Sequence, residues 1–299
     1  MELVTLFYIV DEFCVSFEPE WRARQLASGE RKRNRRSTMT LSEVMTICIW
    51  FHISGYRQFK QYYQEHVSVH MRDDFPNLVS YNRFLALMSE ASLPLLALMT
   101  SLLGEATLAN FVDSTTLDVC DNKRIWKHRV FKGIATRGKS SMGWFFGLKL
   151  HLTVNERGEI TSFLLSPGNV SDGNQDLMLK LTEKLTGKLY ADKGYISHAL
   201  FLSLLRKGIT LITGIRRNMK NCLMSLWDKL MLRKRSIIET INDQLKNTQQ
   251  IEHSRHRSPR NFIVNLLSGL IAYQLQPKKP CIHYTKKEQG LLTQPLLVA

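Results

Sequence analysis

The chain has 299 residues, a formal net charge of +15 at pH 7 and a pI of about 9.7. Its 44% hydrophobic and 22% charged residues are typical of a globular protein, and no apolar run approaches the roughly 20 residues that cross a membrane. The positive charge indicates a polyanionic partner, and the length fits one large domain or two of ordinary size.

The N-terminus and the cysteines bear on location. Glu2, Asp11 and Glu12 lie in an N-terminal segment without a basic lead-in, which argues against a signal peptide. The five cysteines are scattered and include no C-x-x-C pair. Reduced thiols of a cytosolic protein are therefore the expectation.

Helical periodicity dominates up to about residue 104. Apolar residues recur at three- and four-residue steps in Leu41 to Ile49, and Thr40 or Ser42 is a candidate cap. Glu43, three residues after Thr40, would complete a capping box. A second apolar stretch covers residues 84–103, so we predict a helical N-terminal region over residues 1–104.

A basic run precedes the predicted helix at Leu41. Residues 31–36 carry Arg33, Arg35 and Arg36 with two further cations. Such a run is either a solvated loop or a nucleic-acid contact. We expect the N-terminal region to bind DNA, with these three arginines contributing.

Strands and helices alternate from about residue 106. The predicted elements are strands over 109–113, 147–154 and 160–165, a helix over 172–185, a strand over 189–192, a helix over 197–207, a strand over 209–214, and helices over 231–250 and 261–275. Three hairpin-like strands followed by strand–helix units predict an α/β domain with a mixed sheet flanked by helices. This is the element order of a ribonuclease H-like domain, in which the first and fourth strands are neighbours. We place this domain at residues 105–276, after the all-helical region, and a flexible basic tail at 277–299.

Three acidic residues stand out in this pattern. Asp113 and Asp192 each close an apolar strand, and Glu239 lies in a predicted helix. Two strand-end aspartates and a helical glutamate that converge could hold two Mg²⁺ ions, which prefer carboxylate oxygens. Two such ions about 4 Å apart clamp the attacking and leaving oxygens of a phosphodiester.

Three sequence blocks carry a family resemblance. Phe111-Val112-Asp113-Ser114-Thr115, Tyr190-Ala191-Asp192-Lys193-Gly194-Tyr195 and Arg235-(x3)-Glu239-(x6)-Lys246 resemble the signature blocks of DDE transposases from bacterial insertion sequences. The resemblance covers most of the chain. It departs at Leu232, where the related signature often has a tyrosine three residues before the arginine.

The resemblance implies roles for particular residues. Asp113, Asp192 and Glu239 would bind Mg²⁺ or Mn²⁺ as two ions in one site, while Lys193, Arg235 and Lys246 would contact DNA phosphates. Since Arg235, Glu239 and Lys246 are spaced by four and seven residues, one helix face would carry all three.

The same resemblance implies an activity and partners. The protein would hydrolyse a DNA phosphodiester at an element end, and the freed 3′-OH would attack target DNA. Its partners would be double-stranded DNA and further copies of the chain, as a homodimer or higher oligomer, in the bacterial cytoplasm at the nucleoid.

Three alternatives remain at this stage. A metal-dependent nuclease of the same fold would cut without joining. A transposase-derived DNA-binding protein would not cut at all. A serine or tyrosine recombinase would have to use Ser114 or Tyr195 as its nucleophile.

Other acidic residues and two histidines need separate interpretations. Asp118 and Asp121 are alternative metal ligands, and Asp172 is expected to cap the following helix, with a supporting role in the site as the alternative. His253 and His256 have metal-like spacing but no nearby cysteine, so a basic DNA-facing loop is favoured over a zinc site.

Two tryptophans bracket a segment rich in Lys, Arg, Gly and Ser. Trp126 precedes this segment and Trp144 follows it. Core packing is the expectation for both, and stacking on an unpaired base is the alternative.

Overall fold

The computed structural model describes residues 1–29, 37–140, 143–219, 223–252, 256–285 and 288. Its helices are α1 (Leu3–Ala27), α2 (Leu41–Phe51), α3 (Phe59–Gln61), a π-helical turn (Tyr62–Val67), α4 (Ser68–His70), α5 (Tyr81–Glu90), α6 (Ser92–Ser101), α7 (Gln175–Leu181), α8 (His198–Arg206), α9 (Leu226–Lys234), α10 (Ser236–Asn247) and α11 (Pro259–Gln274). Its strands are β1 (Ala109–Cys120), β2 (Thr136–Ser140), β3 (Gly143–Asn155), β4 (Ile160–Pro167), β5 (Gly187–Ala191) and β6 (Ile209–Thr213), with 3₁₀ turns at Asn122–Lys127 and Lys193–Tyr195.

The chain forms two compact units. One unit contains Met1–Leu102, His128–Lys132 and Gln244–Pro277, and the other contains Leu103–Lys127, Gly133–Asp243 and Lys278–Ala299. The first change of unit lies close to the predicted boundary at residues 104 and 105. The residues from Gln244 onward, which we had grouped with the α/β region, join the helical unit instead.

Helix α11 explains this return to the helical unit. It packs against α2, α5 and α6, and most of its residues are buried all round. A helix that is apolar on every side is stable where neighbouring helices bury all of its faces. Helix α2 is part of the same core, and its predicted capping box between Thr40 and Glu43 is confirmed.

The second unit contains a six-stranded mixed sheet. Its order is β2-β3-β1-β5-β6, and β4 also pairs with β3. Strands β1, β2 and β4 run antiparallel to β3, whereas β1, β5 and β6 run parallel to one another. The mixed α/β architecture is therefore confirmed, including the predicted pairing of the first strand with the strand that ends before Asp192.

An apolar core fixes the end of β5. The residues that share this core are Val112, Met178, Leu181, Leu185, Leu189, Ala191, Tyr195, Leu200, Leu204, Ile209 and Leu211. They come from the sheet, from α7 and α8, and from the turn after β5. Burial of these side chains on both flanks of Asp192 holds the backbone of that residue in place.

A polar contact fixes the other side of β5. The Asp228 carboxylate on α9 accepts hydrogen bonds from Lys188 Nζ and the Tyr190 hydroxyl, both at 2.8 Å. Burial tends to raise the pKa of Asp228, but hydrogen bonds from Lys188, Ser225 and Tyr190 bring it below its ordinary value. Helix α9 is thus tied to the strand that leads into Asp192.

Two helix predictions were wrong in extent. The helix expected over residues 172–185 is only Gln175–Leu181, because its N-cap is Asn174, whose side chain accepts from the Leu177 N–H. The single helix expected over residues 231–250 is two helices, α9 and α10, which meet at Arg235.

Two further expectations differ from the structure. Strand β2 was not predicted, and Trp126 and Trp144 are not core residues, since they are 94% and 55% exposed. The described part of the expected flexible tail is packed: Tyr284 stacks on Trp227 and donates a hydrogen bond to Glu156.

Within the described ranges, no single helix is long and apolar enough to cross a membrane. The consecutive helices α5 and α6 meet the criterion of length and composition together, with a bend of 53° between them.

Candidate active site

Asp113 lies inside β1, and Asp192 directly follows β5, the parallel neighbour of β1. The paired residues of β1 and β5 run from Ala109 and Lys188 to Phe111 and Tyr190. Asp113 and Asp192 each follow two residues further along their own strand. Because neighbouring strands are about 4.8 Å apart, a continuation of this register would bring the backbones of the two residues next to each other.

Helix α10 is held against Asp113. The Asn242 amide nitrogen donates to Asp113 Oδ2 at 3.1 Å. Glu239 lies three residues earlier on α10, on the same side of the helix. The Glu239 carboxylate is 56% exposed, and its Oε1 lies 2.5 Å from Arg235.

The electrostatics of Asp113 show that other acids are near it. Burial raises the pKa of Asp113 to about 6, and the charges of Glu239 and Asp172 raise it too, while the Ser114 backbone and Arg235 act in the opposite direction. A carboxylate with this surplus of negative neighbours gains stability from a nearby cation.

The donor set suits a hard divalent cation. The candidate donors are the carboxylate oxygens of Asp113, Asp192 and Glu239. Near them, the buried Asn242 Oδ1 has no hydrogen-bond partner in the described part of the chain. As the side chains stand, no three His, Cys, Asp or Glu residues among those described form a ready metal cluster. Since Glu239 pairs with Arg235, it would have to exchange that partner for the ion.

A hydrogen-bond network connects Asp172 to Ser114, the residue next to Asp113. Asp172 Oδ1 accepts from Ser114 Oγ at 2.7 Å and from Lys149 Nζ at 3.0 Å. Lys149 also donates to the Val170 carbonyl. The expectation that Asp172 caps a helix was therefore wrong, because its carboxylate satisfies a buried lysine and the residue next to Asp113.

Burial raises the pKa of the Tyr195 hydroxyl well above its ordinary value, and the charges of Asp113 and Asp172 add to this effect. This tyrosine therefore stays neutral at physiological pH. Tyr195 is therefore close enough to Asp113 and Asp172 for their charges to act on its hydroxyl.

The Asp172 network predicts an asymmetric stability effect. Asp172→Asn leaves the Lys149 ammonium, whose side chain is 11% exposed, without its counter-charge, whereas Lys149→Met removes the buried charge itself. We expect Asp172→Asn to lower the free energy of unfolding by about 2 kcal/mol and Lys149→Met by less than about 1 kcal/mol. Urea titrations of both variants and of the double variant measure this. Equal losses in the two single variants would contradict it.

The basic candidates have separate surroundings. Lys193 is exposed and follows Asp192, and its carbonyl accepts from Arg216 at 3.0 Å. Arg235 contacts Glu239, and in the helical unit Lys246 Nζ lies 3.0 Å from Glu252. Arg33, Arg35 and Arg36 lie outside the described residues, so their proposed DNA contact stays a prediction.

The remaining candidates do not join this site as metal ligands. Asp118 is five residues from Asp113 on β1, opposite Gly147 of β3, and Asp121 accepts from the Lys123 N–H of the next turn. His253 lies outside the described residues, and the His256 ring packs edge-on against Phe262.

Sequence reasoning missed Asn242 and Lys149. Asn242 is separated from Asp113 by 129 residues. Lys149 lies in the strand predicted over residues 147–154, and its burial was not predicted. A lysine inside such an apolar strand, with Asp172 in the loop after the next strand, is the signal that could have suggested this pair.

Fold and site together define a mixed α/β domain with one aspartate inside β1 and another directly after the parallel strand β5. The chain belongs to the family described as transposase DDE domain, which matches residues 103–259. The family resemblance of the three sequence blocks is thereby confirmed.

The chain is also similar to a solved structure, the cryo-EM structure of the piggyBac transposase synaptic complex with hairpin DNA. The TM-score is 0.47 at 10% sequence identity, over 97% of this chain and 78% of that chain. No curated protein matches the chain.

Proposed function

We propose that this protein is a transposase of a bacterial insertion sequence, which cleaves DNA at the element ends and joins the freed 3′ ends to target DNA. The observation that carries the proposal is the parallel pairing of β1, which carries Asp113, with β5, which leads into Asp192, and the contact of α10 with Asp113 through Asn242. The match to the transposase DDE family supports the same reading.

We also propose that the sheet unit has a ribonuclease H-like fold. Support comes from the strand order β4-β3-β1-β5-β6, with three antiparallel strands followed by two parallel ones. In this reading the helical residues 1–104 form a DNA-binding region, and residues 105–276 carry the chemistry.

Asp113, Asp192 and Glu239 would hold two Mg²⁺ or Mn²⁺ ions. Such ions activate a water or hydroxyl nucleophile and stabilise the charge that develops on a phosphodiester. Arg235 is placed to leave Glu239 and contact a phosphate, because its guanidinium can form two parallel hydrogen bonds with phosphate oxygens. Lys193 and Lys246 would add point charges along the DNA backbone.

The proposed partners are double-stranded DNA and further copies of the chain, in the bacterial cytoplasm. The net charge of +15 supports the DNA partner. A homodimer or higher oligomer would bring two element ends together.

A strand-transfer assay tests the proposed reaction. The purified full chain is incubated with MgCl₂, a labelled duplex from the DNA that flanks its gene, and a supercoiled target plasmid. We expect label in the plasmid. Cleaved ends without joining would instead make the protein a nuclease, and the absence of both cleavage and binding would overturn the proposal.

The salt dependence of binding should report the basic run. Each phosphate that the protein neutralises contributes about −0.9 to the slope of log K against log salt concentration. Replacing Arg33, Arg35 and Arg36 with alanine should flatten the slope by roughly 2 to 3. Fluorescence anisotropy at salt concentrations from roughly 50 to roughly 300 mM measures the slope. An unchanged slope would make this run a solvated loop.

A further inference from the structure

The outward face of the β2–β3 hairpin carries an exposed indole between two cations. Lys139 is directly opposite Trp144 in the register, and Arg137 lies two residues away on the same face of β2. The Trp144 ring centroid is 5.2 Å from the Arg137 guanidinium carbon and 5.8 Å from Lys139 Nζ. Trp144 nevertheless remains 55% exposed.

The orientation of this face is fixed by packing on the other side. A Cβ on Gly138 would lie 2.1 Å from the Gly168 carbonyl oxygen, so only glycine fits there. Phe145 is buried on that same inner side. Since side chains alternate along a strand, Arg137, Lys139 and Trp144 must face outward.

A second exposed indole is held close by. The 3₁₀ turn Asn122–Lys127 carries Trp126, and the Asn122 amide donates to the Trp144 carbonyl at 2.5 Å. Trp126 is 94% exposed, which is unusual for tryptophan. The basic residues of the turn are Lys123, Arg124 and Lys127, and Asp121 is the acid that precedes them.

We propose that this surface, the hairpin residues Arg137, Lys139 and Trp144 with Trp126 of the adjacent turn, binds an unpaired DNA base. An indole stacks on the face of any base, and flanking cations take the adjacent phosphates. Cations alone would suffice for a regular duplex, whose bases are not accessible for stacking. The exposed indoles therefore indicate a DNA substrate in which a base has left the double helix. This inference rests on the proposed function in DNA transposition.

The surface is remote from the aspartates. Trp144 lies eight residues before Leu152, the partner of Asp113 in the β1–β3 register (152 − 144 = 8). At roughly 3.3 Å per residue this is about 26 Å along the strand, or about eight base pairs of duplex. The stacked base would thus lie within about eight nucleotides of the cleaved phosphate, and Trp144 takes no part in the chemistry.

Binding to two matched duplexes tests the proposal. One is fully paired, and the other has two mismatched positions within eight nucleotides of the cleavage end. A mismatch removes the cost of unpairing the base, so the wild-type chain should bind the mismatched duplex roughly 10-fold more tightly. Trp144→Ala and Trp144→Leu should lose that preference, and Trp144→Phe should keep it.

The remaining variants separate stacking from charge and from folding. Trp144→Leu keeps apolar bulk, so its loss of preference with an unchanged melting temperature assigns the effect to the aromatic ring. Replacing both Arg137 and Lys139 with alanine should weaken binding of both duplexes alike. A wild-type chain without preference, or a Trp144→Leu variant that keeps it, overturns the stacking surface and leaves the transposase proposal intact. Failure to bind either duplex overturns both.

Discussion

Asp113→Asn and Asp192→Asn should each lower DNA cleavage and strand transfer by at least about 10³-fold, which corresponds to about 4 kcal/mol of transition-state stabilisation. The reason is that each substitution removes one of the proposed metal-binding carboxylates, which belong to β1 and to the residue that follows its parallel neighbour β5. Neutral amides hold a divalent cation much less well than carboxylates do. DNA affinity should stay within about twofold, because basic side chains provide it. Gel assays of cleavage and joining, with anisotropy for binding, measure these quantities.

A readout without catalysis separates metal binding from structural damage. Mg²⁺ that binds the folded state should raise the melting temperature of the wild-type chain, and Asp113→Asn should abolish that rise. In the absence of the metal, Asp113→Asn should melt at the wild-type temperature or above it. Burial and acidic neighbours disfavour the charged form of Asp113 in the folded state, and the amide removes that cost.

Asp118→Asn is the matched control. It makes the same chemical change on the same strand, five residues further along and opposite Gly147. We expect nearly wild-type cleavage and a normal response to Mg²⁺. If Asp118→Asn were as inactive as Asp113→Asn, the ligand assignment on β1 would have to be changed.

The neighbouring aspartates were predictable because both signals are local. Each aspartate follows a short apolar run, and in the expected topology the two runs are strands that pair in parallel, although β1 continues past Asp113 to Cys120. The observed register then follows from the strands themselves. Local sequence thus predicted the pairing of the strand that carries Asp113 with the strand that leads into Asp192.

Long-range contacts account for what the sequence did not reveal. Asn242 reaches Asp113 across 129 residues, and Lys149 meets Asp172 across 23. Neither contact follows from the periodicity of one element. For the same reason α11 was grouped with the sheet region, since its burial depends on packing against helices from the start of the chain.

The prediction that the two tryptophans are buried was wrong for a different reason. Apolarity predicts burial on average, but it does not identify the exceptions that a binding surface requires. Trp126 and Trp144 lie in a segment rich in small and basic residues, where little apolar surface is available to cover them. That composition favours exposure of the two indoles over burial in the core.

Arg235→Lys should lower strand transfer by roughly 10²-fold while DNA affinity changes by less than about threefold. Arg235 stands at the junction of α9 and α10, where it contacts Glu239, and its charge acts on Asp113. A divalent cation would take over the neutralisation of these carboxylates and would leave the guanidinium available for a phosphate. Lysine keeps the positive charge but cannot form two parallel hydrogen bonds.

Lys246→Ala is the comparison for this effect, because Lys246 is a basic residue further along α10 that pairs with Glu252. We expect it to reduce cleavage and joining by less than Arg235→Lys, since it removes a mobile point charge. Parallel time courses of cleavage and joining, together with anisotropy, provide the measurement. Arg235→Lys with wild-type strand transfer would reduce Arg235 to a general positive charge, and Glu239 would then be the residue through which α10 contributes to the chemistry.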